Sequence, residues 1–256
     1  MSDAQPVVFL LDVDNTLLDN DAVQIDLGGQ LQRLIGAGAR RRYFELFEEL
    51  RAQLGYADYL AALQRYRLEN VTDMRVLQLS DWLLEYPFAG RLYPGALPLI
   101  ERLRQWGPVV ILSDGDAVFQ PYKIRRAGLW EAVDGVLIYL HKEQQLADVE
   151  RRHPAQHYVL IDDKLRVLDA IKRSWGERVT TVIPRQGHYA RDPANDGRYV
   201  PADLDVAGIG DLLQRPRGDF LQASAIPPAH ADGVAADGAA DLWPEWAAHI
   251  QGAHSS

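Results

Sequence analysis

Residues Val7-Val8-Phe9-Leu10-Leu11 form an unbroken apolar run that stops at Asp12, and a second acid, Asp14, follows two residues later. Such a run suits a strand buried on both faces, as in a parallel sheet; a half-exposed strand would alternate. A carboxylate at the end of a buried strand is costly unless it is paired, hydrogen-bonded or bound to a cation. In an open α/β sheet, ligands bind in the crevice beyond the carboxyl ends of the strands. Asp12 and Asp14 are therefore candidates for chemistry before packing. A calcium loop of the EF-hand kind also begins with alternate acids, but it needs Gly at its sixth position and Glu at its twelfth. Those positions are Leu17 and Val23, so that reading fails.

The pattern recurs. Val109 to Leu112 is an apolar run ending in Ser113-Asp114-Gly115, and Tyr158 to Ile161 ends in Asp162-Asp163-Lys164. Further strands are expected within 133–140, before His141-Lys142, and over 179–183. Helical patterns separate them, over roughly 96–105, 117–127, 143–152 and 165–175. Strands alternating with helices imply a parallel sheet with right-handed crossovers, which brings the three polar strand ends to one edge. The expected fold is α/β, a Rossmann-like parallel sheet core with an inserted α-helical cap domain. Residues 1–19 and 91–214 make the core. Residues 20–90 make the cap, because apolar residues there fall at helical spacing, as in Tyr43, Phe44, Phe47 and Leu50, with breaks expected at Gly36, Gly38 and Gly55. Inserted after the first strand, the cap is expected to close over Asp12 as a lid. Residues 185–201 read as a long polar loop. From Arg215 to Ser256, Ala, Gly, Pro and Asp dominate and periodicity fades, as in a disordered or loosely docked tail, with Trp243 and Trp246 suggesting a short docking helix.

A net charge of −9 argues against broad nucleic-acid binding, which needs a basic face, but not against a small phosphorylated substrate held locally. With no cysteine, disulfides and thiolate metal sites are excluded. No apolar run is long enough for a membrane span, and the first is too short for a signal peptide, so a cytoplasmic protein is the default expectation. Oligomeric state is open.

The motifs Asp12-Val13-Asp14-Asn15-Thr16, Ser113, Lys142 and Asp162-Asp163, in this order, resemble the signature of the haloacid dehalogenase-like hydrolase superfamily in its phosphatase form, across residues 7–183. The resemblance implies Asp12 as nucleophile and Asp14 as general acid/base. It makes Ser113 the hydroxyl and Lys142 the lysine of the site. It also implies Mg²⁺, held by Asp12, the main-chain carbonyl of Asp14, and Asp162, with Asp163 binding metal or orienting its surroundings. Thr16 and the backbone at Asp114 and Gly115 are expected to hold the substrate's phosphoryl oxygens. The chemistry suits these residue types. A carboxylate can attack phosphorus and split hydrolysis into two easier steps, and fixed positive charge lets it approach an anion. The implied activity is Mg²⁺-dependent hydrolysis of a small phosphomonoester through an aspartyl-phosphate. A phosphomutase and a non-catalytic phosphate-binding regulator are the alternatives. A dehalogenase of this superfamily lacks the second acid that Asp14 supplies.

Bland readings stand beside these. Lys164 could replace Lys142 as the partner of the acids. Ser113 or Asp116 could cap the following helix. Arg33 and Arg40-Arg41-Arg42 could reach a substrate anion or form a solvated face. The loop Arg185-Gln186-Gly187-His188-Tyr189 follows the last strand and shares the site's edge.

Overall fold

The computed structural model describes residues 4–195 and 197–225. These divide into two compact units, one made of residues 4–21 and 87–225 and the other of Ala22–Tyr86.

In chain order the elements are β1 (Gln5–Leu11), α1 (Asn20–Leu34), α2 (Ala37–Leu54), α3 (Tyr59–Glu69), α4 (Arg75–Glu85), α5 (Ala96–Arg104), β2 (Val109–Asp114), α6 (Phe119–Arg126), α7 (Leu129–Ala132), β3 (Gly135–Tyr139), α8 (Leu146–Arg152), β4 (Ala155–Ile161), α9 (Leu165–Trp175), β5 (Val179–Pro184), α10 (Gly187–Arg191) and β6 (Leu204–Val206). The first unit is a six-stranded sheet in the order β3-β2-β1-β4-β5-β6, and every pairing is parallel. This is the Rossmann-like α/β core. The strand order reverses beside β1, so the crevice where ligands bind in such sheets opens at the ends of β1 and its neighbours.

The apolar runs bury both faces of the sheet. Val8 and Leu10 of β1 join Val110, Leu112, Leu160, Leu168 and Ile171 in one cluster, with Tyr158 stacked on Trp175. Phe9, between them in sequence, meets Trp106 and Phe220 instead. Alternate side chains of a strand point to opposite faces, so each face has its own core.

The second unit is helical. Tyr43, Phe44, Leu46, Phe47 and Leu50 of α2 are buried, and Phe47 packs on Tyr59 of α3. Gly36 and Gly55 stand at the ends of α2 with φ of +126° and +79°, a backbone that favours glycine. Gly38 is not a break; it lies inside the first turn of α2. Asp58 caps α3 by accepting from the backbone N–H of Ala61. Arg42 is committed within this unit, donating to Glu69, Glu45 and Glu49, and Arg40 donates to Gln32. These hydrogen bonds fit the solvated-face reading of the arginine run.

Two expectations about the far end of the chain need correction. The polar stretch 185–201 is not a plain loop, because it contains α10 and a 3-10 turn at Pro193–Asn195. The tail does not begin at Arg215. Arg217–Leu221 forms a 3-10 turn whose Phe220 is fully buried against Phe9 and Trp106. One aromatic side chain buried between two others is enough to fix a turn that composition marks as polar. Trp243 and Trp246 lie outside the described residues. Among the described residues, no helix is long and apolar enough to cross a membrane.

Candidate active site

Register assembles the site. Leu11 of β1 pairs with Ile111 of β2 and Ile161 of β4, so the next residues of β1 and β4, Asp12 and Asp162, emerge side by side. Asp12 N–H donates to the Ile161 carbonyl and Asp162 N–H to that of Val182, which extends the sheet ladder under both acids. Asp12, Asp162 and Asp163 are all buried.

Lys142 answers part of this charge. It follows β3, and its Nζ lies 2.5 Å from Asp12 Oδ1 and 3.2 Å from the Leu112 carbonyl. The same Nζ stands 2.6 Å from Asp162 Oδ2, as an ion pair off the hydrogen-bond line. Asp114 accepts from the Lys142 backbone N–H at 2.7 Å and so fixes where the lysine enters. Burial opposes the ammonium's charge, but Asp12, Asp162 and Asp114 hold its pKa well above the usual lysine value. Burial raises Asp12 to about 6 against the pull of Lys142, and Asp162 pushes it the same way as burial. Lys142, and not Lys164, is the ion-pair partner of these acids.

The turn after β1 is built to present Asp12 and Asp14. Asn15 takes a left-handed backbone, φ 59°, which Asn tolerates better than most residues. Leu17 and Leu18 N–H groups both return to the Val13 carbonyl. The Asn15 side-chain oxygen accepts from the N–H groups of Asn20 and Asp21 and so caps the start of α1. From the other side, Gln186 Nε2 donates to the Thr16 carbonyl at 2.6 Å, and a Cβ on Gly187 would lie 2.5 Å from Asn15 Cβ. His188 Nδ1 lies 2.6 Å from Asp21 Oδ1, and the His188 backbone N–H donates to Asp21 Oδ2. Burial would raise Asp21, but the hydrogen bonds from His188 and Asn15 hold it below the usual aspartate value. The segment after β5 is thus a clamp on the Asn15–Thr16 turn.

Asp14 is held by two residues that motif reading does not single out. Lys123 Nζ lies 2.5 Å from Asp14 Oδ1, and Gln120 Nε2 donates to Asp14 Oδ2 at 3.1 Å and to Ser113 Oγ at 2.9 Å. Gln120 and Lys123 are three apart on α6, hence on one face. Both are buried. Their only trace in the sequence is that spacing on the helix after β2, which by itself does not point at Asp14. Asp116 caps the α6 turn, accepting from Val118 and Phe119 N–H, which leaves Ser113 to the site.

Three expected substrate contacts are placed otherwise. Thr16 is fully buried, and its hydroxyl accepts from Asp163 N–H at 3.0 Å. It therefore joins the two acidic turns and does not face a substrate. The Gly115 N–H goes to the Tyr139 carbonyl, and a Cβ there would collide with Gln120, so this glycine makes room for the glutamine. Asp114 spends its side chain on the Lys142 backbone. The Thr16 hydroxyl and the Gly115 N–H are each consumed within the fold, and for Asp114 the commitment is of the side chain.

The acid cluster suits a hard divalent cation. Oxygens of Asp12, Asp162 and Asp163 lie within 4.8 Å of one another. Neither Asp163 carboxylate oxygen has a hydrogen-bond partner among the described residues, although both are buried. Burial and the Asp162 charge push Asp163 well above the usual aspartate range. Two orphaned oxygens in such a place call for a cation of the kind that carboxylates bind. The Asp14 carboxylate is committed to Lys123 and Gln120, so only its main-chain carbonyl is open to a metal role.

Comparison with known proteins agrees with this architecture. A family model described as a haloacid dehalogenase-like hydrolase matches residues 7–182. A haloacid dehalogenase-like hydrolase from Burkholderia xenovorans LB400 is 56% identical with a TM-score of 0.81, over 86% of this chain and 100% of that one. The L-2-haloacid dehalogenase of Xanthobacter autotrophicus is 17% identical with a TM-score of 0.55, over 80% and 96%. The HAD-hydrolase YfnB of Bacillus subtilis, solved bound to magnesium, is 16% identical with a TM-score of 0.56, over 81% and 97%. Both of these distant likenesses speak for the fold. No curated protein matches the chain.

Proposed function

Because the chain belongs to the haloacid dehalogenase-like hydrolases, we propose that it is a Mg²⁺-dependent phosphatase that hydrolyses a small phosphomonoester through a phosphoryl group carried on Asp12. The observation that carries this reading is the second acid. Asp14 is present, and buried Lys123 and Gln120 hold its carboxylate beside Ser113. An alkyl halide loses its leaving group as a stable anion and needs no proton from an acid, whereas a departing alcohol oxygen does.

Asp12, Asp162 and Asp163 are the side chains that would hold the cation, with the Asp14 carbonyl. A bound Mg²⁺ neutralises the charge between carboxylate and phosphate and polarises a phosphoryl oxygen. The chain's own groups do the rest. Lys142 grips Asp12 Oδ1, and Oδ2 has no hydrogen-bond partner among the described residues, so Oδ2 is the oxygen available to attack phosphorus. In its protonated form, with one carboxyl oxygen turned from Lys123 or Gln120 toward the substrate, Asp14 gives a proton to the departing alcohol oxygen as the O–P bond breaks. It then takes a proton from the water that cleaves the acyl phosphate, returning Asp12 to a carboxylate. Ser113 Oγ, on which Gln120 donates, stands at the end of β2 where it can meet a phosphoryl oxygen.

The test is turnover of p-nitrophenyl phosphate and of 2-chloropropionate, each with Mg²⁺ and with excess chelator. Phosphate release that needs Mg²⁺, with no chloride release, supports the reading. Chloride release without phosphatase activity, or full phosphatase activity in chelator, overturns it.

A further inference from the structure

Gly115 is a glycine for reasons of space. Its φ lies outside the positive range, so no backbone conformation demands it. A Cβ there would lie 2.6 Å from Gln120 Cγ and 2.7 Å from Gln120 Cβ, at the root of that side chain, which cannot bend away. The missing Cβ lets Gln120, in the first turn of α6, pack against the end of β2. Gln120 and Ser113 are both buried there.

The Gln120 amide can stand only one way round. The Asp14 carboxylate accepts hydrogen bonds and does not donate them, so the group that faces its Oδ2 at 3.1 Å is the NH2. The same Nε2 lies 2.9 Å from Ser113 Oγ, and an NH2 group has two hydrogens, one for each partner. Ser113 Oγ is thereby an acceptor toward Gln120, and its own hydrogen must point elsewhere. Among the described residues that hydrogen has one partner, the Asp114 carbonyl at 3.3 Å, longer than the about 2.5–3.0 Å of an ordinary hydroxyl hydrogen bond. A hydroxyl held as acceptor on one side and weakly used as donor on the other is a donor ready for an anionic oxygen.

Motif reading gives Ser113 to the phosphoryl group and Asp14 to proton transfer as separate parts. We propose that Gln120 is a positioning residue that joins them, its amide aiming the Ser113 hydroxyl at a phosphoryl oxygen and holding the Asp14 carboxyl beside it, and that Gly115 is there to admit Gln120. The assignment rests on the phosphatase reading.

Inorganic phosphate, titrated calorimetrically into the full chain with Mg²⁺, reads the Ser113 side. Turnover of phenyl phosphate against p-nitrophenyl phosphate reads the Asp14 side, because the more basic phenolate needs the proton more. Gln120→Leu keeps the bulk and removes both donors. It should weaken phosphate binding by about three- to tenfold, the size of one hydrogen bond. It should also lower kcat on phenyl phosphate by about tenfold more than on p-nitrophenyl phosphate, less than the loss of a whole general acid because Lys123 still holds Asp14. In a Ser113→Ala background, Gln120→Leu should leave phosphate affinity as it is and still shift the substrate ratio. Gly115→Ala should reproduce both effects with Gln120 intact, and it carries the test if Gln120→Leu does not fold. A Gln120→Leu protein that melts earlier but moves neither readout makes Gln120 a packing residue and overturns the assignment. So does an equal fall on both aryl phosphates, or a loss of phosphate affinity that persists unchanged without the Ser113 hydroxyl. Wild-type protein that neither binds phosphate nor cleaves a phosphomonoester contradicts the phosphatase reading, and the assignment falls with it.

Discussion

Asp163→Asn should stabilise the protein in chelator and destabilise it in Mg²⁺. In the metal-free protein Asp163 is a buried carboxylate with no hydrogen-bond partner on either oxygen among the described residues, beside the charge of Asp162. A buried, unpaired ion costs several kcal/mol, whereas an unsatisfied neutral amide costs about 1–3 kcal/mol. The difference favours the variant by about 1–3 kcal/mol, or roughly 2–12 °C in Tm for a domain of this size. Burial raises the folded-state pKa of Asp163 above its unfolded value of 3.8. As pH rises through that window the folded state holds a proton the unfolded chain has released, so wild-type stability falls. The variant's advantage should therefore be small near about pH 4 and grow toward about pH 7.5. Saturating Mg²⁺ reverses the order, because a ligand at a hundredfold its Kd adds about 2.7 kcal/mol to a protein that binds it. The variant has lost one carboxylate of the set and gains less. Thermal unfolding of both proteins in chelator and in Mg²⁺, at both pH values, reads the whole pattern. A variant less stable than wild type in chelator at neutral pH refutes the burial argument. An equal Mg²⁺ shift in both proteins refutes Asp163 as a ligand.

Lys123→Met should slow turnover of an alkyl phosphate by up to about 10²–10⁴-fold, the range for a mispositioned acid/base, and spare an aryl phosphate whose leaving group needs little protonation. Equal losses on both substrates, measured side by side, would remove Asp14 positioning as the reason. Phe220→Ala should cost about 3–5 kcal/mol, because its ring is fully buried between Phe9 and Trp106. A melting temperature within about a degree of wild type would mean that the 217–221 turn is not part of the core.

The sheet was legible because its strands carry continuous apolar runs, and the register of β1 with β2 and β4 then needs only parallel pairing to bring Asp12, Ser113 and Asp162 to one edge. β6 was harder: three residues, Leu204–Val206, leave no periodicity to read. α10 hid in a polar stretch because it is five residues long and opens with Gly187 at φ +72°. In the site, the acids and Lys142 were readable because charged residues at buried strand ends demand an explanation. Lys123 and Gln120 were not, since on α6 they are ordinary polar residues until the helix turns them toward Asp14. Thr16 and Gly115 misled for the converse reason. Their polar groups sit in the expected places but are used by neighbouring backbone and side chains, which a linear pattern does not record.

The claim that Asp12 carries the phosphoryl group is tested most directly in Asp14→Asn, where the hydrolytic second step should be slow while an aryl phosphate can still load the enzyme. Rapid acid quench and peptide mass spectrometry should find one added phosphoryl group on the peptide containing Asp12, and on Asp12 itself after fragmentation. An adduct on any other residue, or turnover of phosphate with no adduct under conditions that trap it, would contradict the account.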